Sequence, residues 1–334
     1  MRFYLKKLLL FTLILTYSIS LFGEVAQEPM KKKEIVLLGA VPVLSSFIFV
    51  LKRADLIHND LSMRFQNGNM SNIIYENMTH AKEEKLPMYG FDNDINIELL
   101  LKNNPNYIFT MDKSTAYNLS NKGFNTIALA WRNEEDIEKN IFLLADLLDA
   151  KEEANNYINY TNYVTNTIQN KLKTIHLENR VKVLCFDYKS MSSLHHIIDS
   201  WIEKSGGISV TKPERVLEKI SFSQEQILVW NPDIIILSNP NDVETLYKDK
   251  RFASIPAIKN KKVFVSPRGI HLWIYRTAEL PLMELWAAKT FYPKAFEDID
   301  MKKQSLYFYN NLVGYNPTSE ELDEILNPSQ YKKE

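Results

Sequence analysis

Cysteine is all but missing from this chain: Cys185 is the only one in 334 residues. No internal disulfide can form, and no cysteine follows the N-terminal leader to carry a lipid. Cationic excess is missing too. Setting aside the leader cations Arg2, Lys6 and Lys7 leaves 37 Lys+Arg against 41 Asp+Glu, a net charge near −4 that argues against nucleic acid or an anionic membrane as partner. There is no Gly-x-Ser-x-Gly elbow, no phosphate loop and no identifiable pair of catalytic carboxylates, so nothing marks an enzyme. The six histidines are too scattered to show the three or four convergent ligands of a bare zinc or manganese site. Low-complexity stretches, which a structural or adhesive surface protein would carry, are absent.

What is present begins with a leader. Arg2, Lys6 and Lys7 precede an apolar run from Leu8 to Phe22, followed by Gly23. The run is short of the roughly 20 residues that span a bilayer and is interrupted by Thr12, Thr16, Tyr17, Ser18 and Ser20, so residues 1–23 read as a secretory signal peptide rather than an anchor. The mature chain is then expected to be a monomer in a periplasm-like space. Cys185 sits in the strand-like run Val181 to Phe186 and reads as a core thiol.

An internal echo organises the rest. Asn96-Ile97-Glu98-Leu99-Leu100-Leu101-Lys102-Asn103-Asn104-Pro105 and Ser223-Gln224-Glu225-Gln226-Ile227-Leu228-Val229-Trp230-Asn231-Pro232 lie 127 positions apart and share Glu, apolar residues and Asn-Pro in register. Asn96 or Ser223 can cap a short helix, Asn-Pro can stop it, and the β-rich run that follows suits a strand buried on both faces. The spacing is too long for a solenoid period, so the echo predicts two similar α/β lobes. Between Asn125 and Gln169 there is neither glycine nor proline. Ile137, Ile141, Leu144 and Leu148, then Ile158, Val164, Ile168, Leu172 and Ile175 recur at helical spacing, which predicts a helix from about Asn155 to Leu177, roughly 35 Å long, linking the lobes. A coiled-coil dimer arm is the rival reading of that helix. The organisation expected is therefore 1–23 leader, 34–150 N-terminal lobe, 151–178 connecting helix and 179–330 C-terminal lobe.

Ser223 to Leu228, Asn231-Pro232-Asp233-Ile234-Ile235, Lys261 to Gly269, Trp273, Glu279, Leu285 to Lys289 and Tyr292-Pro293 resemble the periplasmic substrate-binding proteins of ABC importers for ferric siderophores, haem and cobalamin. The resemblance covers nearly the whole mature chain. It departs from the family where Pro42-Val43-Leu44-Ser45-Ser46 replaces the usual Pro-Ser-x-Thr-Glu. It implies two doubly wound Rossmann-like lobes joined by one long helix, a ligand cleft between them, and no permanently bound cofactor. The expected cargo is a transported metal complex, an iron(III) chelate first. Molybdate or tungstate, a nickel complex and cobalamin are alternatives, and a metal-tetrapyrrole-processing enzyme is the different-class reading. An ABC permease with its cytoplasmic ATPase would be the partner.

In doubly wound lobes, ligands meet the loops at the carboxyl ends of strands. That rule nominates Pro42, Tyr89, Trp131 and Arg132 in the first lobe and Tyr188, Arg268, His271, Trp273, Tyr275 and Arg276 in the second. Two guanidiniums, an imidazole and two aromatics within Arg268 to Arg276 suit a flat anionic ligand: arginine forks hold carboxylate or catecholate oxygens, and His271 or Tyr275 can complete a metal's coordination. His195-His196 is a weak metal pair, because sequence neighbours point to different helix faces. His58, His80 and His176 read as surface residues. The resemblance further implies docking to the permease through one acidic residue per lobe, with Glu83 or Glu84 and Glu214 or Glu218 as candidates.

Overall fold

The computed structural model describes residues 33–60, 69–79, 86–91 and 94–328. The leader, His80, Glu83 and Glu84 lie outside them. The first lobe is built on a three-stranded parallel sheet of β1 (Ile35–Leu38), β2 (Tyr107–Thr110) and β3 (Thr126–Ala128), in that order. Ile35 is in register with Tyr107, and Ile108 with Thr126. Around it lie α1 (Val41–Val50), α2 (Met70–Met78), α3 (Ile97–Asn103), α4 (Lys113–Ser120) and α5 (Glu134–Leu148). A helix of 22 residues, α6 (Lys151–Leu172), follows.

The second lobe contains β4 (Lys182–Phe186), α7 (His196–Lys204), β5 (Ile208–Ser209), α8 (Gln224–Trp230), β6 (Ile234–Leu237), α9 (Asp242–Lys248), α10 (Pro256–Lys259), β7 (Val263–Val265), α11 (Leu280–Phe291), α12 (Met301–Tyr307) and α13 (Ser319–Leu326). Its four strands pair in parallel in the order β7-β6-β4-β5.

Short parallel strands need apolar residues on both faces, and these have them. Ile35 and Leu37 face the large core, while Val36 and Leu38 face a smaller one with Leu100, Ile108, Leu119 and Phe124. In β6, Ile234 and Ile236 join the large core, and Ile235 and Leu237 a third cluster with Ile227, Trp230 and Phe252. Cys185 is buried in β4, and loss of water pushes its thiol pKa well up, which suits a core residue.

The echo is structural. Asn96 caps α3 by accepting from Leu99 N, and Ser223 caps α8 by accepting from Gln226 N. Asn104 and Asn231 both close their helices in the left-handed region, at φ 45° and 49°, a conformation asparagine tolerates better than most residues. A parallel strand follows each.

The connecting helix runs from Lys151 to Leu172, starting and stopping about four residues earlier than its periodicity predicts. Burial at Ala154, Tyr157, Tyr160, Val164, Ile168 and Leu172 repeats every three or four residues and stops there, while Leu177 is 70% exposed. The apolar stripe faces the chain's own core: α6 packs on α1 and α5 on one side and on α7 and α11 on the other. That leaves no seam for a coiled-coil partner. Direct hydrogen bonds also cross between the lobes. Ser71 Oγ donates to Gly269 O at 2.8 Å, Ala278 N donates to Ser46 Oγ at 3.0 Å, and Lys204 pairs with Glu134.

Candidate functional site

The loop that leaves β7 is held from beneath by one carboxylate. Glu279, fully buried, accepts from Ile270 N at 2.7 Å, His271 N at 3.0 Å, Trp273 Nε1 at 3.1 Å and the Tyr309 hydroxyl. Loss of water pushes its pKa up to about 7, against the pull of those donors. Gly269 sits where nothing larger fits: a Cβ there would lie 1.7 Å from Tyr309 Oη and 2.2 Å from Glu279 Oε1. Arg268 N donates to Ile325 O of α13 at 2.9 Å, and Trp273 N to Pro267 O at 3.1 Å. Pinned in this way, the loop presents Arg268, His271, Tyr275 and Arg276, all half-buried.

These four come together, and His195 and Glu218 join them. The Tyr275 ring lies 5.4 Å from that of His271 and 5.5 Å, edge on, from that of His195. His195 Nδ1 is 3.2 Å from Arg276 Nη2 and 3.3 Å from Glu218 Oε2, and Arg276 donates to the same carboxylate oxygen. Burial and the Arg276 charge lower the pKa of His195. Burial, Arg268 and His195 push His271 down to about 4, so both imidazoles are neutral near pH 7. The Tyr275 phenol is pushed up to about 12 by burial, and burial lowers Arg268 against the pull of Tyr275 and Glu324. The result is a basic, aromatic cluster with two neutral imidazole nitrogens and a phenol. Arg276 Nε is buried there without a partner.

Three of the aromatic candidates belong to the core instead. Tyr89 is 1% exposed and its hydroxyl accepts from Asn103 at 2.9 Å. Trp131, also 1% exposed, stacks on Phe47 with ring centroids 4.0 Å apart. Trp273 is fully buried against Glu279 and Tyr309. Trp131 and Trp273 follow strand ends, and Tyr89 precedes the short strand Gly90–Phe91; in all three places the large ring packs inward and is buried. Pro42 is half-buried in the first turn of α1. Arg132 is exposed and forks onto Asp136 at 2.7 Å and 3.1 Å, and Tyr188 donates to Asp249 at 3.1 Å. No contact described joins these three to the cluster.

Glu214 accepts from Gln226 Nε2 and Trp230 Nε1, both at 2.9 Å. Glu218 is engaged by Arg276. His195 and Glu218 are the members of this cluster that strand-end reasoning missed. His195 ends the loop that follows β4, a few residues past the window that nominated Tyr188. Glu218 arrives from a loop far off in sequence, and only the fold reveals it. Among the described residues no group of three His, Cys, Asp or Glu is placed to hold a bare metal ion, and no helix is long and apolar enough to cross a membrane.

Comparisons with known proteins agree with this fold. The model of a family described as periplasmic binding protein matches residues 71–268. The molybdate-binding protein MolA of Haemophilus influenzae is 25% identical over 265 residues, 70% of this chain and 75% of that protein. A periplasmic solute-binding protein from Veillonella parvula superposes with TM-score 0.74 at 25% identity, covering 89% of this chain and 93% of that one. CeuE of Helicobacter pylori, solved with Ni(II) bound, gives TM-score 0.69 at 19% identity over 89% and 95% of the two chains, a likeness of fold.

Proposed function

Starting from the chain's membership of the periplasmic binding protein family, we propose that it is the solute-binding component of an ABC importer, acting in the periplasm. It captures an anionic iron(III) chelate at the Arg268–Arg276 loop and passes it to a membrane permease driven by a cytoplasmic ATPase. The role is binding and delivery, with no chemical step.

The observation that carries this reading is the meeting of Tyr275 with His195 and His271, beside two arginines. Iron(III) is a hard cation that takes oxygen donors and accepts imidazole. A chelate that fills only four of its six positions leaves two for the protein. Here a phenol and a neutral imidazole stand side by side to take them. The metal's own charge would deprotonate the phenol on binding, whatever its pKa in the free protein. Arg268 and Arg276 then pair with the chelate's peripheral oxygens in planar, charge-assisted contacts.

The test compares iron(III) complexes of a bis-catecholate and a tris-catecholate by fluorescence titration and visible spectroscopy. The unsaturated bis-catecholate complex is expected to bind tighter, with a tyrosinate-to-iron charge-transfer band that disappears in Tyr275→Phe. Equal affinity for both complexes, with no spectral change, would remove direct coordination from the proposal.

A second reading is a molybdate or tungstate oxyanion held by the two arginines and backbone amides, favoured by the 25% identity to the molybdate-binding relative. Molybdate in the same titration decides between them. Binding that depends on Arg268 and Arg276 but not on Tyr275 would select the oxyanion.

A further inference from the structure

A cavity of about 380 Å³ opens against the C-terminal part of α6, where α7 and α11 pack on it. None of its lining residues belongs to the His195–Tyr275 cluster. The apolar part of its wall is Ile168 and Leu172 of α6, with Gln169 at the exposed edge, and its polar part includes Arg180, Lys204 and Glu284. Arg180 Nε is buried with no hydrogen-bond partner. A donor left unpaired away from water is unfavourable, so an acceptor in the cavity would relieve a cost the fold already carries. Lys204 Nζ pairs with Glu134 and lies 3.8 Å from Glu284 Oε1. Glu284 is 2% exposed, and burial pushes its pKa up to about 7 against the pull of Lys204. Near neutral pH it is therefore partly protonated and able to donate to an incoming oxygen rather than repel it.

We propose that this cavity is a second binding site, for a small monocarboxylate with an apolar body: the carboxylate on Arg180 and Lys204, the body on Ile168 and Leu172. One carboxylate matches the one buried, unpartnered donor of the wall, Arg180 Nε. The chemistry differs from that of the cleft, where two arginines and a phenol face a larger, more highly charged ligand. The two places are linked by one element. His195 immediately precedes α7 at the cluster, and Lys204 ends it at the cavity, about 14 Å further along the helix.

Binding of 4-(trifluoromethyl)benzoate to the chain, followed by ¹⁹F NMR, tests the proposal, with the neutral 4-(trifluoromethyl)benzamide as control. The benzoate is expected to bind with the amide at least about tenfold weaker, as loss of a charge-assisted contact predicts. Arg180→Gln should weaken the benzoate by a similar factor. Gln169→Trp, at an exposed position that costs the fold nothing, should block it sterically and serves if Arg180→Gln unfolds. Arg276→Gln should leave it unchanged. No binding at about 10 mM probe, equal binding of acid and amide, or indifference to both cavity variants would each overturn the proposal. So would binding lost in Arg276→Gln but kept in Arg180→Gln, since that places the probe in the cleft.

Discussion

Glu218 occupies the place an anionic ligand would want. Its carboxylate takes Arg276 and lies beside His195, so in the unliganded protein it neutralises the guanidinium that a chelate oxygen would use. Binding then exchanges one anion for another, and the intramolecular one competes. Removing it should help: Glu218→Gln is expected to raise affinity for a ferric catecholate about three- to tenfold, the range of a partly exposed ion pair, while Arg276→Gln lowers it. Isothermal titration of the two variants checks the pair, and a fall in affinity for Glu218→Gln would make Glu218 a ligand contact instead of a competitor. Trp131 makes the opposite case. It is buried and stacked on Phe47, whose ring in turn meets Tyr157 of α6 edge to face. Trp131→Ala should therefore cost about 3–5 kcal/mol of stability, as large aromatic truncations in a core do, with chelate affinity of the folded protein unchanged. A urea titration alongside the binding assay tells a core residue from a cleft residue.

The internal repeat does more than duplicate a helix and a strand. It places an exposed glutamate and, one turn on, an exposed leucine at equivalent positions: Glu98 with Leu101, 59% exposed, and Glu225 with Leu228, 39% exposed. Glu225 is held firmly ionised by the backbone and Ser223 donors at the start of α8. With Glu214 tied to Trp230 and Glu218 to Arg276, we propose these two repeat-related helix tips as the acidic contacts for a permease. Glu98→Lys combined with Glu225→Lys should abolish uptake in reconstituted vesicles while leaving chelate binding intact. Uptake at the unsubstituted rate would move docking elsewhere.

The same repeat explains what could be read in advance. Caps, Asn-Pro stops and doubly buried strands are local signals, and they pointed to two similar α/β lobes. The site was only half legible. Arg268, His271, Tyr275 and Arg276 share one loop, and the strand-end rule reaches it. That rule cannot distinguish a ring that turns outward from one that turns under the loop, which is why Trp131 and Trp273 looked like cleft residues, and Tyr89 lies before the strand Gly90–Phe91, not at a strand's end. Nor does it foresee Glu218, which is brought in by packing of a distant segment.

At the scale of the whole molecule, three strongly shifted titratable groups make stability respond to pH, and they pull in opposite directions. Glu279 and Glu284 are each pushed up to about 7 from an ordinary value of 4.5. Between those values the folded state holds protons that the unfolded chain gives up, so each stabilises the fold fully at acid pH and loses that contribution as pH rises through 7. The size is at most on the order of 3 kcal/mol per group. His271 is pushed down to about 4 from 6.5. In that window the unfolded chain holds the extra proton, so its contribution is complete above 6.5 and is lost as pH falls. From pH 4.5 to 6.5 the imidazole offsets only one of the two carboxyls, so stability already falls slowly there. Above 6.5 only the carboxyls still titrate, and stability should decline towards pH 8. Glu284→Gln fixes the side chain in the uncharged form that the fold prefers. It should leave the melting temperature at pH 5 nearly unchanged, raise it at pH 8 and flatten the decline between. Differential scanning calorimetry at pH 5, 6.5 and 8 measures all three. A variant as pH-sensitive as the parent would mean that Glu284 ionises freely in the folded chain, through its contact with Lys204, and that burial does not govern its charge.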